Sequence, residues 1–73
     1  MERNEINAIL SKILEINVDE SKYDTELESL ENWDSLACIS VIAQLALHQF
    51  PPVRAEVLSQ FKTVGELAAL FQK

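Results

Sequence analysis

The chain begins with a helical pattern of apolar residues. Five apolar side chains recur at the spacing i, i+3, i+4, i+7 and i+8, and polar side chains lie between them: Ile6, Ile9, Leu10, Ile13 and Leu14. This spacing is typical of one face of an amphipathic helix. The acidic Glu2 and Glu5 near its start suit the positive end of the helix dipole. The pattern predicts a first helix over residues 3–15.

The second pattern is an apolar segment without charge. From Ser35 to Val53, nineteen residues, there is no Asp, Glu, Lys or Arg. Asp34 or Ser35 can cap a helix that starts here, and Pro51-Pro52 would end it. A membrane span is disfavoured because of the two prolines and three polar residues, Gln44, His48 and Gln49. We expect a buried central helix with one face formed by Leu36, Ile39, Ile42, Ala43, Ala46 and Phe50, and with further apolar residues at Val41, Leu45 and Leu47.

Two shorter helices are predicted after the prolines. Residues 53–59 form a short pattern with Val53, Val57 and Leu58 inward. Thr63 and Glu66, three residues apart, form the signature of a capping box. The helix that starts there would run to the C-terminus, with its apolar positions at Val64, Leu67, Ala68, Leu70 and Phe71.

Residues 17–34 have no sustained period. Seven acids oppose one lysine there, and the apolar residues are spaced irregularly, as anchors of an ordered loop would be: Val18, Tyr23, Leu27, Leu30 and Trp33. We therefore predict an all-α fold, a small four-helix bundle. It has three main helices plus a short third helix, a long loop between the first two helices, and one domain over residues 1–73.

Charge limits the class of partner. The net charge is −6. Residues 1–34 hold ten acids and three bases, whereas residues 35–73 hold two acids and three bases. This balance argues against binding nucleic acid or an anionic membrane, and favours partners with positive patches. The single cysteine, Cys38, excludes an internal disulfide, and residues 1–5 lack a signal-peptide start. We expect a cytoplasmic, monomeric protein.

The sequence lacks the residues that most catalytic mechanisms need. A Ser-His-Asp triad could use only His48, which lies thirteen residues after Ser35, about 20 Å along a continuous helix. Cys38 and His48 do not make a metal site, and the only glycine, Gly65, excludes a phosphate-binding loop. Ser35 remains as the candidate. Its simplest role is a helix cap, but a phosphodiester attached there would be favoured by the helix N-terminus.

The residues around Ser35 resemble the acyl carrier protein family. Asp34-Ser35-Leu36 matches the family's Asp-Ser-Leu attachment motif, and the stretch 27–33, Leu-Glu-Ser-Leu-Glu-Asn-Trp, is similar to the segment that leads into it. Trp33 directly before the motif is typical of discrete, pathway-specific carriers. Residues 62–67 also resemble the start of the family's last helix, so the resemblance covers essentially the whole chain.

The resemblance implies that Ser35 carries 4'-phosphopantetheine, transferred from coenzyme A by a phosphopantetheinyl transferase. The thiol of that arm would hold an acyl group as a thioester. Asp34 would help in recognition by the transferase, near the metal that the enzyme binds, and Leu36 would pack under the loop and against the enzyme. The protein would hold no metal and would not be an enzyme itself. Its partners would be the transferase and a ketosynthase, acyltransferase or acyl/aminoacyl ligase.

The second helix departs from the family because it has no acids. We therefore expect a carrier for a specialised polyketide, lipid or secondary-metabolite pathway. Partners would contact Trp33, Ala37, Ile39, Ser40 and Val41, with attraction from the loop acids Glu26, Glu28 and Glu31. In the competing interpretation, Val41 and Leu47 are core residues and partners use only the loop. Two alternative functions stay open: an aminoacyl or peptidyl carrier, and an unmodified helical interaction module in which Ser35 is only a cap.

Overall fold

The structure, a computed structural model, describes residues 2–72. Four α-helices form in this range: α1 (Arg3–Leu14), α2 (Ser35–Leu47), α3 (Ala55–Ser59) and α4 (Val64–Leu70). No strand forms among these residues, so the prediction of a small helical bundle is confirmed at that level. Across residues 2–72, every helix is too short or too polar to cross a membrane.

The apolar stripe of α1 faces the core as predicted. Ile6, Leu10 and Leu14 are buried, and α1 packs against α2 and α4. The helix ends at Leu14, one residue before the predicted end, because Glu15 adopts a left-handed backbone conformation with φ 55°. A residue in this conformation is a common helix terminator.

The end of α2 differs more from the prediction. The helix stops at Leu47, three residues before Phe50, in a Schellman motif. The Phe50 N–H donates to the Leu45 carbonyl at 2.9 Å and the Gln49 N–H donates to the Ala46 carbonyl at 3.1 Å, while Gln49 is left-handed with φ 63°. The turn thus forms before the prolines, since a residue that precedes proline is disfavoured in helix.

The predicted inner face of α2 is wrong at four of its six positions: Ile42 and Phe50 pack against the core, but Leu36, Ile39, Ala43 and Ala46 are exposed. The buried residues are Ala37, Cys38, Val41 and Leu45, whereas three of the large apolar residues are exposed: Leu36 (71%), Ile39 (58%) and Leu47 (72%). Because α2 is apolar nearly all round, its periodicity could not indicate which side meets α1 and α3. The competing interpretation was therefore right about Val41 and wrong about Leu47.

The C-terminal helices follow the predicted pattern with small corrections. In α3, Leu58 is fully buried and Val53 is half-buried before the helix starts, but Val57 is exposed rather than inward. The predicted capping box is confirmed, since the Thr63 hydroxyl accepts from the Glu66 N–H and the Glu66 carboxylate accepts from the Thr63 N–H at 3.1 Å. After α4 ends at Leu70, Phe71 packs edge-to-face on Phe50, with ring centroids 6.0 Å apart. The predicted last residue of this helix, Lys73, lies outside the described residues.

The loop between α1 and α2 is ordered, as its anchors predicted. Val18 and Leu27 are buried, and the other anchors, Tyr23, Leu30 and Trp33, are half-buried against the core. Two 3-10 turns that the sequence did not predict lie within the loop, at Glu20–Lys22 and Leu27–Ser29. The Tyr23 hydroxyl donates to Asn7 Oδ1 on α1 at 2.7 Å.

Backbone hydrogen bonds tie the loop to the start of α4. The Leu27 N–H donates to the Lys62 carbonyl (2.8 Å), the Val64 N–H to the Thr25 carbonyl (3.0 Å), and the Gly65 N–H to the Tyr23 carbonyl (2.9 Å). A Cβ at Gly65 would lie only 3.0 Å from the Tyr23 carbonyl oxygen, so a larger residue here would push the loop and the start of α4 apart by a few tenths of an ångström. The loop is thereby held at several points before it reaches Asp34 and Ser35.

Candidate functional site

Ser35 is the first residue of α2, and its side chain is exposed. Asp34 acts as the helix cap, because its Oδ1 accepts a hydrogen bond from the Ala37 N–H at 3.0 Å. Within residues 2–72, the Ser35 hydroxyl forms no hydrogen bond. The simplest structural role for this serine, the cap, therefore belongs to its neighbour.

The segment before Ser35 is anchored on both sides. Trp33 is half-buried against the core, and the Asn32 side-chain amide donates to the Leu14 carbonyl at the end of α1 (3.4 Å). The Trp33 N–H donates to the Leu30 carbonyl at 3.3 Å. Ser35 thus presents an accessible hydroxyl at the start of α2, and the contacts of the preceding residues fix its position.

A groove of about 470 Å³ lies beside Ser35. One wall comes from the loop and the start of α2, and the other from α3 and the residues after it. The lining residues are Glu28, Trp33, Asp34, Ser35, Cys38, Ala55, Glu56, Ser59 and Phe61. Trp33, Phe61 and Ala55 supply apolar surface, and the carboxylates of Glu28 and Glu56 add negative charge. The groove can therefore accept part of an apolar chain attached to Ser35.

Cys38 lines the same groove but is a poor nucleophile. Its side chain is buried and it forms no disulfide. Burial raises the pKa of the Cys38 thiol, and the negative charge of Asp34 raises it further. The thiolate is the reactive form of cysteine, so the raised pKa, which keeps Cys38 a neutral thiol, makes this side chain a poor nucleophile. The hydroxyl of Ser35, by contrast, is exposed.

A smaller groove of about 180 Å³ lies on the opposite side of the helix start, between α1 and α2. Its lining includes Glu15, Asp34, Leu36 and Ser40, together with Ile13, Asn32 and Ala37. Carboxylates therefore flank the start of α2 on both sides: Glu15 on this side, and Glu28 and Glu56 on the other.

The structure agrees with the sequence-based argument against a catalytic triad. The helix is continuous from Ser35 to Leu47, and His48 is its C-terminal cap. At ~1.5 Å per residue, His48 lies about 20 Å from Ser35 along the axis, far beyond hydrogen-bond reach. Over residues 2–72, no group of three His, Cys, Asp or Glu side chains is arranged to hold a metal ion.

The predicted partner residues separate into two groups. Ile39, Ser40, Glu28 and Glu31 are exposed and available for contact, and Trp33 is half-buried. Ala37 and Val41, by contrast, are buried in the core, so we remove both from the predicted partner surface.

Three exposed residues of α2 were missing from that prediction: Ala43, Ala46 and Leu47. The sequence signal for them would have been the position of Val41 and Leu45, core residues on the opposite side of the helix. That signal was hidden because the whole helix is apolar.

Comparison with known proteins identifies no relative of this chain. The chain matches no protein-family model, and neither a curated protein nor a solved structure is detectably similar to it. The assignment of a function therefore depends on the motif at Ser35 and on the geometry around it.

Proposed function

We propose that this chain is a carrier protein. It holds acyl intermediates as thioesters on a 4'-phosphopantetheine arm attached to Ser35, and it presents them to enzymes of a specialised polyketide, lipid or secondary-metabolite pathway. The observation that supports this most is the state of Ser35. Its hydroxyl is exposed and, within the described range, without a hydrogen-bond partner, while Asp34 caps the helix.

The local electrostatics also suit a phosphodiester on Ser35. The oxygen would lie at the N-terminus of a thirteen-residue helix, where N–H groups and the dipole favour an anion. In the transfer, the Ser35 oxygen forms a bond to the phosphorus of the phosphopantetheine moiety, the phosphoanhydride bond of coenzyme A breaks, and adenosine 3',5'-bisphosphate leaves. The serine proton passes to a base of the transferase. The attached arm then supplies a thiol that can carry a thioester.

The groove beside Ser35 fits the apolar part of such an arm and its cargo. Trp33 and Phe61 provide flat apolar surface, and Ser35 itself is part of the lining, so an arm that folds back meets the groove directly. The carboxylates of Glu28 and Glu56 disfavour a cargo with a free carboxylate close to the protein. They are compatible with an uncharged acyl group, and also with the cationic amine of an aminoacyl group, the alternative cargo.

The experiment is intact-mass measurement after incubation with coenzyme A, Mg²⁺ and a broad-specificity phosphopantetheinyl transferase. We expect wild-type protein to gain the mass of one phosphopantetheine. Ser35→Ala should gain none, whereas Ser40→Ala, which changes an exposed serine on the same helix, should gain the same mass as wild type. If wild type gains no mass, the chain is an unmodified helical interaction module. A gain that persists in Ser35→Ala would place the arm elsewhere.

A further inference from the structure

The exposed side of α2 carries no charge, because the chain holds no Asp, Glu, Lys or Arg between Ser35 and Val53. Four exposed residues on this side follow one another at spacings of three, four and three, and they are here called the α2 seam: Leu36, Ile39, Ala43 and Ala46. This alternation of three and four is the spacing at which two helices pack side by side in a coiled coil. The seam lies opposite the buried Val41 and Leu45, and the exposed Leu47 extends it.

This surface is unlike the other exposed helix surfaces. The exposed side of α1 carries Arg3, Glu5 and Lys12, and that of α4 carries Glu66. Scattered single apolar residues on a surface need no explanation, whereas a continuous patch on a small protein marks an interaction site. The order of side-chain sizes and the charges around the α2 seam indicate which partner fits it.

The α2 seam has large side chains in its first half and small ones in its second half. Its spacing is symmetrical about the level of Val41, because Leu36 and Ala46 are each five residues from that level and Ile39 and Ala43 are each two residues from it. Two copies that pair antiparallel about this level set Leu36 against Ala46 of the second copy. Ile39 then faces Ala43 of the second copy, so every large residue meets a small one. Parallel pairing would set large residues on large ones at one end and leave a gap between alanines at the other.

Antiparallel pairing also keeps the acids of the two copies apart. Glu15 shares a groove with Leu36 at the start of α2. Glu28 and Glu56 share the other groove with Ser35, so the seam has a negative border at this end. In an antiparallel pair, each border lies beside the C-terminal half of the other copy's α2, which has no acid. The two borders are then about 18 Å apart along the helices, well beyond the screening length of about 8 Å at physiological salt. A parallel pair would hold them side by side, with a net charge of −6 on each chain.

We propose that two copies of this chain associate through the α2 seam as an antiparallel, two-fold symmetric dimer. Each copy offers the same surface, as a two-fold interface requires. The seam and Leu47 present on the order of 400 Å² on each copy, about half of the 800 Å² that a standard interface buries on each partner. The dimer is therefore weak, with a Kd on the order of 100 µM. It goes beyond the proposed function, does not depend on any modification of Ser35, and replaces the monomer expected from the sequence.

Sedimentation equilibrium of the unmodified chain, from about 10 µM to about 1 mM, measures this association. Ile39→Asp and Leu47→Asp place a charge in the contact. Val57→Asp is the matched control, because Val57 is an exposed aliphatic residue (43%) on α3 outside the seam and the change adds the same charge. Circular dichroism checks that each variant stays folded.

We expect the mean mass of wild type to rise over this range from that of one chain toward that of two. Ile39→Asp should raise the Kd at least tenfold and Leu47→Asp at least threefold, whereas Val57→Asp should stay within twofold of wild type. The wild-type Kd should stay constant or fall as salt is raised from about 50 to 300 mM, because salt screens the remaining repulsion between two chains of the same charge.

Disulfide cross-linking tests the orientation. Leu36→Cys and Ala46→Cys are made separately in a Cys38→Ala background, so that only the introduced thiol reacts. In the antiparallel pair, position 36 of one copy faces position 46 of the other, whereas two copies of the same position lie about 15 Å apart along the helices, beyond the reach of a disulfide. An equal mixture of the two variants in a glutathione redox buffer should give the mixed disulfide as more than about four-fifths of the cross-linked product, against one half for random pairing. Intact mass distinguishes the mixed disulfide from the two symmetric ones.

A mean mass that stays at one chain up to about 1 mM would overturn the dimer and leave the α2 seam to a different partner. Equal Kd values for Ile39→Asp, Leu47→Asp and Val57→Asp would overturn the seam as the contact. Symmetric disulfides at or above their random share would overturn the antiparallel arrangement. None of these results changes the mass gain of wild type with the transferase, which tests the proposed function separately.

Discussion

Truncation of Val41 and Leu47 to alanine separates the two sides of α2. Val41 is fully buried, whereas Leu47 is 72% exposed, although both are aliphatic residues of the same helix. Val41→Ala removes two methyl groups from the core, at about 0.8 kcal/mol each, and leaves a cavity that raises the loss to about 2–3 kcal/mol. Alanine's better helix propensity returns roughly 0.5 kcal/mol. The net destabilisation of Val41→Ala should therefore be about 2 kcal/mol.

The corresponding loss at Leu47 is much smaller. Only about a quarter of this side chain is covered, so Leu47→Ala should lower the free energy of unfolding by roughly 0.5 kcal/mol or less. A chain of this size has a free energy of unfolding near the low end of the usual range, about 5 kcal/mol. The difference between the variants is therefore a large fraction of the total.

Urea unfolding followed by circular dichroism measures both values, and thermal unfolding provides a second readout. At about 4–8 °C per kcal/mol for a small domain, Val41→Ala should lower Tm by roughly 8–16 °C and Leu47→Ala by no more than about 4 °C. Equal losses, or a larger loss at Leu47, would refute the orientation of α2, in which Val41 is buried and Leu47 is exposed. The result is independent of any modification of Ser35.

Two further predictions concern the residues around Ser35. Asp34→Ala should lower the free energy of unfolding by about 1 kcal/mol because the bond from the Ala37 N–H is lost, whereas Asp34→Asn, which can still accept that bond, should lower it by only a few tenths. Equal losses in urea unfolding would assign the effect to the negative charge rather than to the cap. Burial raises the pKa of the Cys38 thiol, so the unfolded chain loses this proton first as pH rises. The free energy of unfolding should fall as pH rises above the usual thiol pKa of about 8.5, and Cys38→Ala should show a smaller fall from pH 7 to 9.5, because Tyr23 contributes equally to both proteins.

Local patterns were sufficient for the parts of the fold that depend on neighbouring residues. The stripe of α1 has clear polar and apolar sides, so Ile6, Leu10 and Leu14 could be assigned to the core from spacing alone. The capping box at Thr63 and Glu66 involves only residues three apart, and it forms as predicted. The loop anchors, Val18 and Leu27 among them, were recognisable because isolated apolar residues in an acidic segment have few other places to go.

The orientation of α2 was not predictable in this way. A helix that is apolar on every side can bury any of its faces at similar cost, so spacing does not distinguish Val41 from Ile39. That choice was made by contacts with α1 and α3, which are distant in sequence. The same holds for the end of α2, where the left-handed Gln49 stops the helix before the prolines.

For the site around Ser35, too, the local features were predictable from the sequence and the features that depend on packing between helices were not. The motif at residues 34–36 and the choice between Asp34 and Ser35 as cap could be stated from the sequence, because both depend on the first turn of one helix. The structure shows that Asp34 is the cap, and packing between helices brings Phe61 and Glu56 to the groove beside Ser35. Pairwise spacing along a chain reports neighbours within a helix, whereas grooves and exposed faces arise from packing between helices. For this protein, the position of Ser35 at the start of α2 was predictable from the sequence, and the surface around it was not.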